Sequence, residues 1–82
     1  MSKHNKTKEY ILSGAGFANV RYDDLCSLLV NLGFKSKTKA SSHVIFTKEG
    51  VPEIINLQRG RDGKAKPYQV RQVAGMIRTY KL

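Results

Sequence analysis

The chain has 82 residues and carries 15 Lys and Arg against six Asp and Glu, which gives a net charge of +9 and a pI near 10.0. A chain this short is expected to form one small domain, residues 1–82, with a thin core and no deep enclosed pocket. The charge favours a polyanionic partner, with nucleic acid first and an anionic membrane surface second. The alternative is charge that only keeps the protein soluble.

Cysteine usage and apolar content indicate a cytosolic protein. Cys26 has no second cysteine to pair with and lies among leucines, which is typical of a buried, inert thiol. No apolar run approaches the ~18 residues needed to span a bilayer, and the basic N-terminus lacks the apolar stretch of a signal peptide. We therefore expect a cytoplasmic location.

The first strong periodicity follows a polar N-terminal arm, for which we expect only a short helix. From Asn19 onwards, apolar residues recur at three- and four-residue steps, as they do on one stripe of a helix. We expect Asn19 to cap this helix, Asp23 and Asp24 to stabilise its first turn, and Gly33 to end it. The stripe consists of Tyr22, Leu25, Cys26, Leu29 and Leu32.

Three strands are predicted next. In residues 34–39 three lysines alternate with other residues, so they share one face of a strand and are expected to protect a sheet edge, to bind phosphate, or to do both. The second strand runs from His43 to Thr47. Its purely apolar side chains, Val44 and Phe46, are expected to face the helices, which places His43 and Ile45 on the opposite face of the sheet. Residues 48–50 predict a tight hairpin, and Pro52 leads into a third strand.

A basic loop, residues 58–66, separates the strands from the last helix. Pro67 suits the first turn of that helix, whose apolar stripe reaches Tyr80. The resulting order, helix, three antiparallel strands, helix, predicts an α+β layer with both helices on one face of the sheet. Basic side chains beside the free N–H groups at the start of the last helix predict a phosphate site.

His43 is the candidate catalytic residue. A lone histidine at a strand start is more often a hydrogen-bonded surface residue than a catalyst, and no other metal-binding side chain stands near it at ligand spacing, so neither a metal nor another cofactor is expected. Cleavage of RNA can proceed without either, because the 2′-OH of the substrate is the nucleophile. The protein then supplies a base, an acid and cations for the phosphorane charge.

Residues 41–46, Ser-Ser-His-Val-Ile-Phe, resemble the Gly-Ser-His-x-x-Phe signature of the HicA toxin family. Similar segments occur in the same order at residues 23–34, 53–57 and 64–70, so the resemblance extends over residues 23–70 of the chain. The resemblance implies a fold like that of double-stranded-RNA-binding domains (dsRBD-like). It also implies the toxin of a type II toxin-antitoxin system, a metal-independent mRNA endoribonuclease whose active site is bound and masked by a HicB-type antitoxin.

By this resemblance His43 takes the catalytic position. Ser41 stands where the family usually has Gly, which predicts a steric cost and reduced activity or a different loop. The general acid is left open between Tyr68, Tyr80 and nearby lysines. The residues expected to contact RNA are Ser42, Lys35, Lys37, Lys39, Arg59, Arg61, Lys64 and Lys66.

Two alternatives to the nuclease belong to other functional classes. One is a non-catalytic RNA-binding module of the same fold, in which His43 only contacts the RNA backbone. The other is a protein whose basic face mainly docks an acidic partner. The first predicts RNA binding that falls steeply with salt and no cleavage, and the second predicts no RNA binding at physiological salt.

Overall fold

The computed structural model describes residues 3–14, 17–40, 43–60 and 62–82, and for residues 3–5, 18, 39 and 40 it describes the backbone only. These ranges contain three α-helices, one short 3₁₀ helix and one antiparallel sheet of three strands in the order β1-β2-β3. The predicted α+β class and element order are confirmed. The elements are α1 Lys3–Leu12, the 3₁₀ helix Phe17–Asn19, α2 Tyr22–Asn31, β1 Lys35–Ala40, β2 His43–Lys48, β3 Val51–Gln58 and α3 Pro67–Tyr80.

The start of α2 differs from the prediction, which placed the cap at Asn19. Asn19 ends the 3₁₀ helix, and the capping residue is Arg21, whose side chain makes no capping hydrogen bond. Tertiary contacts with the loop before α3 explain why α2 is capped at Arg21 instead of Asn19. The carbonyl of Val20 accepts the N–H of Ala65 over 2.8 Å, and the N–H of Tyr22 donates to Gly63 over 3.0 Å. These bonds hold the chain extended up to Arg21.

The end of α2 is as predicted. Gly33 has a φ of +98°, a conformation that glycine adopts without a steric penalty. Its N–H donates to the carbonyl of Val30, and the N–H of Phe34 donates to that of Leu29, each over 3.0 Å. This pair of bonds is a Schellman motif, which turns the chain sharply from α2 into β1.

The hairpin between β2 and β3 closes at Glu49 and Gly50, and Gly50 supplies the positive φ of +88°. Lys48 pairs with Val51 beside the turn. The register then shifts between Lys48 and Phe46, so that Phe46 pairs with Ile55. Beyond this irregularity His43 lies opposite Gln58. The shift moves each partner by two residues, so every side chain keeps its face of the sheet.

The core lies between one face of the sheet and the helices. Phe46, Ile55 and Leu57 are fully buried on that face, and Val44 is half-buried there, so the predicted parity of β2 is confirmed. The prediction gave the N-terminal helix a minor role, but Ile11 of α1 is completely buried in the same core. The helices contribute Leu25, Leu28, Leu29, Val70, Val73 and Ile77.

The other face of the sheet is open. Lys35, Lys37, Thr47, Ile54 and Asn56 are exposed there. Among the described helices, none is both long and apolar enough to cross a membrane.

Candidate functional site

His43 is the first residue of β2 and lies on the open face of the sheet. Its backbone pairs with Ala40 of β1 and Gln58 of β3, so the side chain is half-buried between the two outer strands. The alternation of β2 explains this position, because Val44 turns toward the helices. The candidate catalytic imidazole therefore stands on a strand that is paired on both sides, with access to solvent.

The imidazole has a specific polar neighbour. Its Nδ1 lies 3.4 Å from Oδ1 of Asn56, which is the diagonal neighbour of His43 on β3. An amide oxygen can only accept a hydrogen bond, so this contact requires the proton at Nδ1 when the ring is neutral. The lone pair is then on Nε2, which is the form that a general base at Nε2 requires.

A shallow cleft of about 300 Å³ surrounds the imidazole. Ile54, Asn56 and Gln58 form its sheet side, and the first two turns of α3 form its other side. Tyr68 stands at this wall with 64% of its surface exposed. The residues contributed by α3 are Tyr68, Gln69 and Gln72.

Gln69 fixes α3 to the outer edge of β3. Its side chain is buried, with 3% exposure, and its amide donates to the carbonyl of Asn56 over 3.2 Å. The side-chain oxygen of Gln69 accepts the N–H of Gln58 over 3.3 Å. The cleft walls are thus joined by two hydrogen bonds to the backbone that carries Asn56 and Gln58.

Two of the expected RNA-binding lysines lie near this cleft. Lys66 directly precedes α3, and its ammonium group donates to Oε1 of Gln58 over 3.1 Å. Lys37 pairs with Ile45, two residues along β2 from His43 and on the same open face. Lys35 pairs with Thr47 and lies two residues further along β1, farther from His43 than Lys37. The open face therefore places positive charge along the sheet from β1 to α3.

Arg59 and Lys64 lie elsewhere. Arg59 has the same strand parity as Leu57 and points to α2, where it donates to Asp23 over 2.6 Å and stands 5.0 Å from the ring centre of Tyr22. Lys64 forms an antiparallel bridge with Arg21 at the start of α2. Among the predicted basic side chains that the structure describes, only Lys37 and Lys66 lie beside His43, whereas Arg59 and Lys64 form a separate group near α2.

Several predicted positions lie outside the described residues, namely Ser41, Ser42 and Arg61, together with the side chain of Lys39. Of the two tyrosines among the candidate acids, Tyr68 lines the cleft and Tyr80 is absent from its lining. Desolvation, together with the charge and hydrogen bond of the Glu53 carboxylate, raises the pKa of Tyr80. Within the described ranges, no three His, Cys, Asp or Glu residues form a group that could hold a metal ion.

Sequence reasoning did not single out Asn56, Gln69 or Gln72. The alternation of β3 could have predicted the position of Asn56. Ile55 and Leu57 are core residues, so the residue between them must lie on the same face of the sheet as His43. Nothing in the pattern of α3 marked Gln69 as buried. Comparisons with family models, with curated proteins and with solved structures found no match to this chain.

Proposed function

We propose that this chain is an endoribonuclease of the HicA toxin type, with a dsRBD-like fold, that cleaves mRNA through His43 in the cytoplasm and is inhibited by a HicB-type antitoxin. The observation that carries the proposal is the contact of His43 with Asn56 in an open cleft beside basic side chains. The helix, three-strand, helix order and the resemblance of residues 41–46 to the family signature add support.

The proposed reaction uses the substrate as nucleophile. Nε2 of His43 takes the proton of a ribose 2′-OH, and the oxygen attacks the adjacent phosphorus. The bond from phosphorus to the 5′-oxygen breaks, and an acid protonates the leaving oxygen. The products are a 2′,3′-cyclic phosphate and a 5′-hydroxyl end, and the balance of atoms requires no metal or water in this step.

Positive charge near the cleft would stabilise the phosphorane. Lys66 and Lys37 flank His43 on two sides, and the ammonium of Lys66 is already held by Gln58. Fixed cations stabilise developing negative charge without reorganising at the moment of reaction. We assign these two lysines, rather than Arg59 and Lys64, to the scissile phosphate.

Tyr68 is the candidate for the leaving-group proton or for stacking on a base. Its ring is exposed at the cleft wall, where an unpaired base could stack on it. Tyr68→Phe removes only the hydroxyl, whereas Tyr68→Ala removes the ring as well. Loss of cleavage in both variants indicates a proton donor, and loss only in Tyr68→Ala indicates stacking.

Expression in cells tests the proposed toxicity. Wild type should stop growth and fragment transcripts, and His43→Ala at equal protein level should do neither. Fragments with 5′-hydroxyl ends are expected in the wild-type culture alone. Equal loss of mRNA in both cultures would falsify the assignment of His43. Stable transcripts in both, with RNA still bound by the purified protein, would favour the non-catalytic RNA-binding module.

The partner in this proposal has a separate test. The neighbouring open reading frame should encode a small antitoxin-like protein, and its co-expression should restore growth. Co-purification of the two chains without restored growth would separate simple binding from inhibition.

A further inference from the structure

A groove between α2 and the sheet is not used by the proposed RNA site. It encloses about 590 Å³ beside β1, on the opposite face of the sheet from His43. Val44 and Phe46 lie in it from β2, and Val30 of α2 adds an apolar side chain that is 56% exposed. Burial raises the pKa of the Tyr22 phenol to about 12 and also raises that of the Cys26 thiol, so both lining groups stay uncharged near neutral pH.

The groove opens beside a free sheet edge. β1 pairs with β2 on one side, and within the described ranges no strand pairs with its other side. The opposite edge of the sheet differs, because Gln69 bonds the backbone of β3 at Asn56 and Gln58. β1 is therefore the edge that offers backbone N–H and C=O groups to another strand.

The two faces of β1 have different chemistry. Ser36 and Thr38 line the groove, whereas Lys35 and Lys37 are exposed on the open face. A strand added beside β1 would alternate in the same way, with one set of side chains over the groove and the other opposite the lysines. The best fit is a segment in which apolar residues alternate with Asp or Glu.

Two other occupants of this edge, a second copy of the chain and RNA, fit less well. A second copy of this chain carries the same net charge of +9, and pairing of two β1 strands would bring lysines together. RNA has no ladder of N–H and C=O groups to pair with a strand edge, and the carboxylate of Asp23 lines the groove. A polypeptide strand of opposite charge satisfies both the backbone and the lysines.

We propose that an extended acidic segment of a partner protein adds to β1 as a fourth strand, with its apolar side chains in the α2 groove and its carboxylates on Lys35 and Lys37. The identification of this partner with the antitoxin rests on the proposed function, whereas the docking surface does not. Such a segment would also cover lysines of the open face. Partner binding and RNA binding would then compete for the same charges.

The probe is a fluorescein-labelled peptide that alternates valine and glutamate over about eight residues, the length of an ordinary strand. Its control is a peptide of the same composition with the valines and glutamates in separate blocks. Fluorescence anisotropy at physiological salt should show binding of the alternating peptide and at least about ten-fold weaker binding of the block peptide. Equal affinities would show plain charge attraction and overturn the proposal.

Two variants locate the contact. Lys35→Glu with Lys37→Glu should weaken peptide binding about ten-fold or more, because carboxylates then face carboxylates across the strands. The control, Lys6→Glu with Lys81→Glu, has the same net charge and alters two exposed lysines outside the sheet. Similar losses in both double variants would contradict docking at β1.

Val30→Asp separates this inference from the nuclease. It should weaken peptide binding and leave RNA cleavage unchanged, whereas His43→Ala should abolish cleavage and leave peptide binding unchanged. Amide NMR signals of β1 and α2 should shift when peptide is added. Shifts confined to the cleft around His43 and Tyr68 would overturn docking at β1. Equal peptide affinities of Val30→Asp and wild type would overturn it as well.

Discussion

The buried side chain of Gln69 donates to the backbone carbonyl of Asn56 over 3.2 Å, and this bond joins α3 to the strand that carries the neighbour of His43. The side-chain oxygen of Gln69 also accepts the N–H of Gln58. The same helix begins beside Lys66 and carries Tyr68. One residue therefore couples the position of the cleft wall to the position of the sheet.

Replacing Gln69 by leucine should lower the free energy of unfolding by about 1–3 kcal/mol, because the carbonyl of Asn56 and the N–H of Gln58 lose their partners in a partly buried position. Urea unfolding measures the change. Gln72→Leu is the control, since Gln72 is exposed on the same helix and should change stability by less than about 0.5 kcal/mol. Equal losses in the two variants would contradict the role of Gln69.

Replacing Asn56 by alanine should remove the acceptor that holds the proton on Nδ1 of His43. We expect about ten-fold slower RNA cleavage with unchanged RNA affinity, because only part of the population keeps the productive tautomer. Nitrogen NMR shifts of the imidazole report the tautomer directly. Asn56→Asp keeps an acceptor and should restore the tautomer. An identical tautomer ratio in wild type and Asn56→Ala would refute this role.

Lys66→Gln and Arg59→Gln should affect RNA binding unequally. Loss of one phosphate-contacting lysine reduces the slope of log affinity against log salt by about 1. Arg59 is already paired with Asp23 and stacked over Tyr22, so its replacement should change the slope by much less. Titrations of each variant with RNA at several salt concentrations give the slopes. A larger change for Arg59→Gln than for Lys66→Gln would place the RNA near α2 instead.

Gly75 should be replaceable with a gain in stability. It lies exposed within α3, and an added Cβ would meet no atom within 4 Å, so Gly75→Ala should stabilise the protein by about 1 kcal/mol. Gly50→Ala also meets open space but has a φ of +88°, and it should destabilise by about 1 kcal/mol. Thermal or urea unfolding gives the stability of each variant. Because neither added methyl group contacts another atom, the difference between the two variants reports the backbone conformation. A loss of stability in Gly75→Ala would contradict the open space beside Gly75.

Strand parity predicted the side of the sheet on which His43 stands, because Val44 and Phe46 form the purely apolar set of β2, whereas Ile45 shares its set with the polar residues His43 and Thr47. It did not predict the exact neighbour. Counting back from the turn at Gly50 pairs His43 with Asn56, whereas the register shift near Lys48 pairs it with Gln58 and makes Asn56 diagonal. A local irregularity of this kind has no signature in the alternation of apolar residues.

The remaining differences come from tertiary contacts. Asn19 is a good capping residue, but the bonds of Val20 and Tyr22 to the loop before α3 move the start of α2. Gln69 looks like any polar residue of an amphipathic helix until the edge of β3 is placed against it. Composition places Arg59 with the other basic residues of its loop, but Arg59 has the strand parity of Leu57 and points toward α2, where it donates to Asp23.

His43 is proposed to cleave RNA as well as to contact it. Single-turnover cleavage of one fluorescent RNA by wild type and by His43→Ala, at protein concentrations that saturate binding, isolates the chemical step. We expect cleavage by His43→Ala to be at least about 100-fold slower with the same affinity, and no cleavage of a 2′-deoxy analogue by either protein. Equal rates in the two proteins, or cleavage of the deoxy analogue by wild type, would contradict it.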